Sequence, residues 1–237
     1  MRNILFNEGK IIEGILILIF LITVSFGCFI YKYKLDNRSL NSKVDSIRNG
    51  KNYIKIENID SKFLNSMVAI EDHRFYSHGA VDFISIVRAT VNNIKAGKVV
   101  QGGSTITQQL AKNMCLSNER SFKRKFKELF LAVELERKYS KKELLELYVN
   151  VINFGDGYVG IGEASEGYFG KKASNLNFDQ ATILAGLPQA PSRYALSNNN
   201  GLAKKRQKQV INALERYNGV KEKDTVVALE VSYKTTN

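Results

Sequence analysis

Apolar residues recur at helical spacing through most of the chain. They alternate only over Tyr53-Ile54-Lys55-Ile56, where a single edge strand is expected. Leu64, Met67 and Val68 form an apolar stripe that predicts a helix over about Ser61 to Asp72. Seven positions beyond Leu64 the stripe reaches Glu71, an acid on an apolar face near a helix end. A second helix is predicted over about Ser121 to Lys138, with Phe122, Phe126, Leu129, Phe130 and Val133 on one side. Glu128 lies off that stripe, one turn from Arg124 and Lys125. A third helix starts at Ser140, where Ser-Lys-Lys-Glu reads as a capping box, and stops at Phe154-Gly155. Residues near Asn177 to Leu187 are apolar enough for a buried helix, and AKKRQKQVINALERY predicts another, solvated on one face. Both prolines, Pro188 and Pro191, fall in LPQAPSRY, so no proline interrupts the helices before it. The pattern is that of a mainly α protein with minimal sheet.

The N-terminal pattern differs. Residues 14–31 carry no charge, and Ile11 and Ile12 extend the run to about 20 residues, enough to cross a hydrocarbon core as a helix. It ends in CFIYKYK and not in a small-residue cleavage site, which reads as a retained anchor. Arg2 and Lys10 precede it while Lys32, Lys34 and Arg38 follow, so flanking charge leaves its orientation open. The expected organisation is a stub and anchor over 1–35, a polar linker over 36–58, a folded domain over 59–215 and a tail over 216–237.

A hydrophobic content of 44% against 24% charged residues excludes a disordered chain. The net charge of +12 favours anionic partners: nucleic acid, acidic lipid or a phosphate-bearing substrate. No zinc-finger spacing, RNP-like motif or P-loop is present, which weighs against nucleic acid. Cys28 and Cys115 form no CxxC and read as isolated small hydrophobes.

Three stretches could carry chemistry. In VQGGSTITQQLAKN, Gly102 and Gly103 permit close backbone approach, and Ser104 or Thr105 can cap the helix that follows. Free amides together with Ser, Gln and Lys112 donors make a seat for an oxyanion or phosphate, although an ordinary capped helix would look the same. Arg120, Arg124, Lys125 and Lys127 crowd into eight positions, commonly a solvated face, but Glu128 stands in their midst. Among those cations Glu128 is expected to keep its charge, whereas desolvation should raise the pKa of Glu71. Two carboxylates so separated suit acid/base work on a sugar, provided their helices meet. His73 and His78 are five apart and do not share a helix face, and a zinc site would need carboxylates to complete it. They are read as support for the loop after Glu71, with Phe75 and Tyr76 packing beneath it.

Five stretches occur in order over about residues 60 to 196: EDHRFYSH, QGGSTITQQLAKN, RSFKRKFKELFLAVELE, LLELYVNVINFGDGYVGIGEASEGYFGK and ATILAGLPQAPSRY. The series resembles the family 51 peptidoglycan glycosyltransferases, the polymerising module of class A penicillin-binding proteins and of monofunctional transglycosylases. The resemblance implies a lysozyme-like bilobed fold, with a head and a smaller membrane-embedded jaw, preceded by one N-terminal transmembrane helix. It implies polymerisation of lipid II into β-1,4-linked glycan, with inversion at the donor anomeric carbon and release of undecaprenyl pyrophosphate. By that resemblance Glu71 is the base that deprotonates the acceptor 4-hydroxyl, and Glu128 is a second essential glutamate. Ser104, Gln108, Lys112, Arg120 and Lys127 match sugar- or phosphate-holding positions, and Thr105, Gln109, Asn113 and Arg124 are grouped with them as substrate-binding. Asp72, Phe75, His78 and Asn150 are expected to support the site. No cofactor is obligatory by the resemblance, though Glu128 could help hold Mg2+ or Mn2+.

The expected partners are lipid II, the growing glycan strand, anionic membrane lipids, transpeptidases and other wall-synthesis proteins, with no nucleic acid. The catalytic domain is expected outside a bacterial cell membrane on a single-pass anchor. With neither an SxxK tetrad nor KTG, the chain reads as monofunctional. A lytic transglycosylase or lysozyme-type hydrolase would share the fold but has no use for a cation cluster built for pyrophosphate. A non-catalytic membrane-anchored scaffold would have no reason to keep Glu71, Lys112, Arg120 and Glu128 together. The chain departs from the family pattern at His78-Gly79-Ala80, where the glycine is one place early. It departs again at Gly162-Glu163, where Glu-Ala is usual, and at Leu196, where a proline is usual.

Overall fold

The computed structural model describes residues 38–98, 102–115, 122–198 and 200–218, with Phe20, Thr23 and Gly27 upstream. The chain divides into two units, Met1–Ser46 and Ile47–Asn237. The expected anchor over residues 11–31, apart from those three positions, lies outside the described residues, as does the tail beyond 218. No described helix is long and apolar enough to cross a membrane.

Ten α-helices are present among the described residues. The first, α1 (Arg38–Arg48), falls in the stretch read as linker. Its Leu40, Val44 and Ile47 recur at helical spacing inside an otherwise polar run, a signal too sparse to stand out in the sequence. Then come α2 (Ser61–Glu71), α3 (Phe83–Ala96), α4 (Ile106–Cys115), α5 (Phe122–Lys138), α6 (Lys141–Val151), α7 (Ile161–Phe169), α8 (Phe178–Gly186), the short α9 (Pro191–Tyr194) and α10 (Asn200–Asn218).

Two groups of helices make the packing of the larger unit. In one, α2, α8 and α10 pack against each other; in the other, α4 lies against α5 and α6. Helix α2 is capped by the Asp60 side chain and buries Phe63, Met67, Val68 and Ala69. Helix α6 opens with the predicted capping box between Ser140 and Glu143 and buries Leu144, Leu145, Leu147, Tyr148 and Val149. A second capping box, Asn177 with Gln180, opens α8.

The alternating segment at 53–56 is not an edge strand. The described residues contain one isolated bridge, Asn153 to Val159, and no longer ladder. The segment instead satisfies its backbone on two side chains one turn apart on α6. Asn150 Oδ1 accepts from Ile54 N at 2.8 Å, and Asn150 Nδ2 donates to Ile54 O at 2.9 Å. Glu146 accepts from Ile56 N at 2.8 Å and from the Tyr53 hydroxyl. Buried backbone groups need partners, and here polar side chains supply them in place of a neighbouring strand.

Part of the stripe assigned to α5 faces outward. Phe126 is 61% and Val133 42% exposed, while Glu128, Ala132 and Leu135 form the buried face. Helix α3, which the sequence reading did not place, is the more extreme case. Of its side chains only Ala89 is buried, and Phe83, Ile84, Ile86, Val87, Val91 and Ile94 are exposed.

Two departures from the family pattern have a visible accommodation. Ala80 is buried without a left-handed backbone, and its carbonyl accepts from Thr105 Oγ1 at 2.9 Å. A Cβ on Gly162 would sit 2.8 Å from Asn52 O, so glycine permits this close approach of α7 to the 52–54 segment. The neighbouring Glu163 accepts from Asn52 Nδ2 at 2.7 Å and Val159 N at 2.9 Å.

Candidate active site

Glu71 is the last residue of α2 and opens into a cleft of about 460 Å³. Its side chain is only 11% exposed. Gln109 Nε2, from α4, donates to Glu71 Oε2 at 2.9 Å. Arg206 Nη2, from α10, lies 3.6 Å from Glu71 Oε1. Burial raises the Glu71 pKa; Gln109 and the Arg206 charge pull it back, and the neighbouring Asp72 adds to the rise. Gln109 is itself oriented by Tyr148, whose hydroxyl donates to Gln109 Oε1 at 2.9 Å.

Asp72 ties the loop after Glu71 to the start of α4. His78 Nε2 contacts its Oδ1 at 2.8 Å, and the first amide of α4, Ile106 N, donates to Oδ2 at 3.0 Å. A carboxylate at a helix N-terminus satisfies a free amide and complements the helix dipole. The other His78 nitrogen, Nδ1, contacts Gly79 O at 2.6 Å. Phe75 is fully buried with Lys141 Nζ 4.5 Å above its ring. Tyr76 is not beneath the loop as expected. It is 65% exposed and meets Phe75 edge-on.

His73 turns away from His78. Its Nε2 accepts from Arg88 Nη1 at 2.9 Å, and its ring stacks on Tyr217 at 3.8 Å between centroids. Burial, followed by the Arg88 charge, pushes its pKa down to about 4, so a neutral imidazole serves Arg88 as acceptor. Asp72, His78 and Asp82 lie close together, but the carboxylate oxygens are engaged by protein donors. Asp82 accepts from Arg74 Nε, Ser85 N and Ser85 Oγ.

The glycine-serine stretch reaches the same cleft through Gly102, Gly103, Ser104 and Thr105. Thr105 and Gln108 are buried and cap α4 reciprocally: Gln108 N donates to Thr105 Oγ1 at 3.2 Å, and Thr105 N to Gln108 Oε1 at 3.3 Å. Ser104 is exposed and accepts from Lys125 Nζ at 3.0 Å. Lys125 Nζ also reaches Glu128 Oε1, and Arg124 Nη1 donates to Glu128 Oε2 at 2.9 Å. Glu128 is 3% exposed and does not line the cleft; Lys125 connects it to Ser104 at the edge. With both oxygens facing cationic donors, Glu128 fits the organising of cations and does not fit a divalent metal ion. Lys112 and Asn113 are exposed on the last turn of α4, and Lys127 is half-buried on α5. Arg120 lies outside the described residues. Asn150 is on α6 and fastens the 53–56 segment.

Sequence reasoning missed the wall contributed by α10. Arg206, Gln209, Ala213 and Arg216 line the cleft at intervals of three, four and three, while Ala203, Gln207, Val210 and Leu214 are buried. The apolar spacing of Ala203, Val210 and Leu214 was the available signal, and the surrounding lysines obscured it.

A family model described as Transglycosylase matches residues 38–215. Penicillin-binding protein 1A of Aquifex aeolicus (strain VF5) is 42% identical over 190 residues, covering 77% of this chain and 26% of that protein. Penicillin-binding protein 2D of Bacillus subtilis (strain 168) is 39% identical over 187 residues, covering 78% and 27% respectively. Penicillin-binding protein 1A of Neisseria gonorrhoeae is 41% identical over 184 residues, covering 77% and 23%. The chain thus spans about a quarter of the length of these relatives.

Proposed function

Because the chain belongs to the transglycosylase family, we propose that it is a peptidoglycan glycosyltransferase that polymerises lipid II. The observation that carries this reading is the Glu71 carboxylate in the cleft, kept from solvent and flanked by one neutral donor and one cation. A raised pKa makes a stronger base, and activity requires that the group still be ionised at working pH. Glu71 takes the proton of the acceptor 4-hydroxyl as that oxygen bonds to the donor anomeric carbon from the face opposite the leaving group. The anomeric C–O bond then breaks, and its electron pair leaves with undecaprenyl pyrophosphate, giving inversion.

Charge growing on the pyrophosphate needs preorganised cations. Lys112, Arg124, Lys125 and Lys127 are gathered on α4 and α5, and Arg120 belongs to the same motif. Glu128 aligns Arg124 and Lys125 in this scheme. The exposed apolar side chains of α3, with Phe126 and Val133 on α5, are suited to meeting a bilayer. They support a jaw seated in the outer leaflet of a lysozyme-like bilobed domain, anchored by residues 11–31, with anionic lipid answering the +12 charge. Transpeptidases and other wall-synthesis proteins are the protein partners this activity implies.

The test is incubation of purified protein with labelled lipid II, with and without Glu71→Gln. Polymer from wild type and none from the variant is expected. Equal polymer from both would refute the base assignment, polymer from neither would favour a scaffold, and loss of pre-formed strands would favour a hydrolase.

A further inference from the structure

Arg206 is an unusual group to find beside a base. It is 7% exposed, it comes from a helix remote in sequence, and its Nε is buried without a hydrogen-bond partner. Its Nη1 donates to Gln209 Oε1 at 2.8 Å, which leaves Nη2 directed at Glu71. A buried guanidinium is costly unless it is paired, and Glu71 is its only ion-pair partner among the described residues. The packing also makes room for it. A Cβ on Gly186 of α8 would lie 2.9 Å from Arg206 Cγ, so the arginine stem passes α8 only because that position has no side chain.

The separation matters as much as the charge. At 3.6 Å, Nη2 is beyond hydrogen-bonding distance of Glu71 Oε1, whereas Gln109 occupies Oε2 at 2.9 Å. Oε1 therefore keeps a lone pair for an incoming proton while a cation stands beside it. Resting on the reading of Glu71 as base, we propose that Arg206 is a positioning residue of this reaction: it keeps the carboxylate ionised and presents Oε1 as the oxygen that receives the acceptor's proton. Once Oε1 is protonated, the guanidinium loses its countercharge. That favours prompt loss of the proton and resets the base for the next addition.

Several other groups face this pair. Asp72 from the loop, Tyr148 from α6 and Tyr194 from α9 act on it, while His73 from the loop, Asp82 and Arg88 from the α3 region and Arg216 from α10 line the same cleft. Asp72 and Tyr148 oppose ionisation of Glu71 or are opposed by it. Arg206 is the cation acting on Glu71, and burial lowers its own pKa.

The experiment measures polymerisation of labelled lipid II by the full chain in detergent across pH 5.5 to 9, for wild type, Arg206→Gln, Arg206→Lys, Gly186→Ala and Glu71→Gln. Loss of the cation should move the acid limb of kcat upward by about one pH unit in Arg206→Gln, roughly a tenfold lower rate on that limb. KM for lipid II should be unchanged, and Arg206→Lys should recover part of the shift. Gly186→Ala keeps the charge but displaces the stem, so it should shift the limb the same way by less. It also serves as the second variant if Arg206→Gln does not fold by thermal melt. An acid limb that stays in place in the folded variants, with or without a uniform loss of rate, would overturn the proposal. If Glu71→Gln polymerises as wild type does, the base assignment itself fails; if it is inactive while the Arg206 variants keep the wild-type limb, only the role of Arg206 fails.

Discussion

Tyr148 Oη donates to Gln109 Oε1, and that bond decides which end of the Gln109 amide faces Glu71. The tyrosine is fully buried on α6, and burial together with the nearby Glu71 and Asp72 charges pushes its pKa well up, so it stays a donor throughout the working range. Tyr148→Phe would leave Gln109 Oε1 unsatisfied, at a cost of about 1–3 kcal/mol in stability. It would also free the amide to rotate. A several-fold loss of kcat with KM unchanged is expected in a lipid II assay, alongside a lower Tm by calorimetry.

His73 gives a stability signature. Its folded pKa of about 4 lies below the ordinary imidazole value of 6.5, so the unfolded chain takes up the proton first as pH falls. The stability its neutral form contributes is complete above pH 6.5 and is lost progressively between 6.5 and about 4. Tm against pH for wild type and His73→Gln should therefore converge on acidification through that window. Parallel curves would show that His73 is not the group responsible.

Gly162 offers a reversal of the usual expectation for consensus changes. Restoring the family's usual residue with Gly162→Glu places a Cβ within 2.8 Å of Asn52 O and 3.0 Å of Ile54 Cγ1. Overpacking of this kind costs about 1–3 kcal/mol. A fall in Tm of several degrees is expected, and Gly162→Ala should show most of it because the clash begins at Cβ.

The outward face of α3 can be read by fluorescence, since the chain has no tryptophan. In phosphatidylglycerol vesicles with brominated acyl chains, Val87→Trp should be strongly quenched and Lys208→Trp should not. Adding Phe83→Ser and Ile94→Ser to Val87→Trp should weaken the quenching without lowering Tm, because both side chains are already largely exposed in the folded chain, at 74% and 75%.

Legibility in the sequence followed how local each signal was. The Ser140 capping box and the helix ending at Glu71 depend on neighbours within a turn or two, and both could be read directly. The α5 stripe could be read as a stripe, but not which way it faces. Periodicity records that a face is apolar, not whether protein or another medium covers it. Tyr53-Ile54-Lys55-Ile56 alternates like a strand, but Ile56 opens a 3-10 turn and the segment's partners are Glu146 and Asn150, some 90 residues away. Arg206 was hidden for a related reason. In a run of lysines and glutamines, nothing local distinguishes the cation that turns inward from those that remain in water.

Helix α3 faces two ways. Ser85 and Arg88 line the cleft, while Phe83, Val87, Val91 and Ile94 lie open on the outside. The distance from one environment to the other is therefore a single helix diameter, roughly 10 Å. Under the proposed function, in which the sugar is carried by a long isoprenoid, such a wall would let the head be processed in water while the tail stays in lipid. Pulling that tail out would cost about 0.8 kcal/mol for every methylene exposed. The same proposal implies exchange of substrate and product by sideways diffusion in the plane of the membrane, with turnover set by surface density and not by bulk concentration.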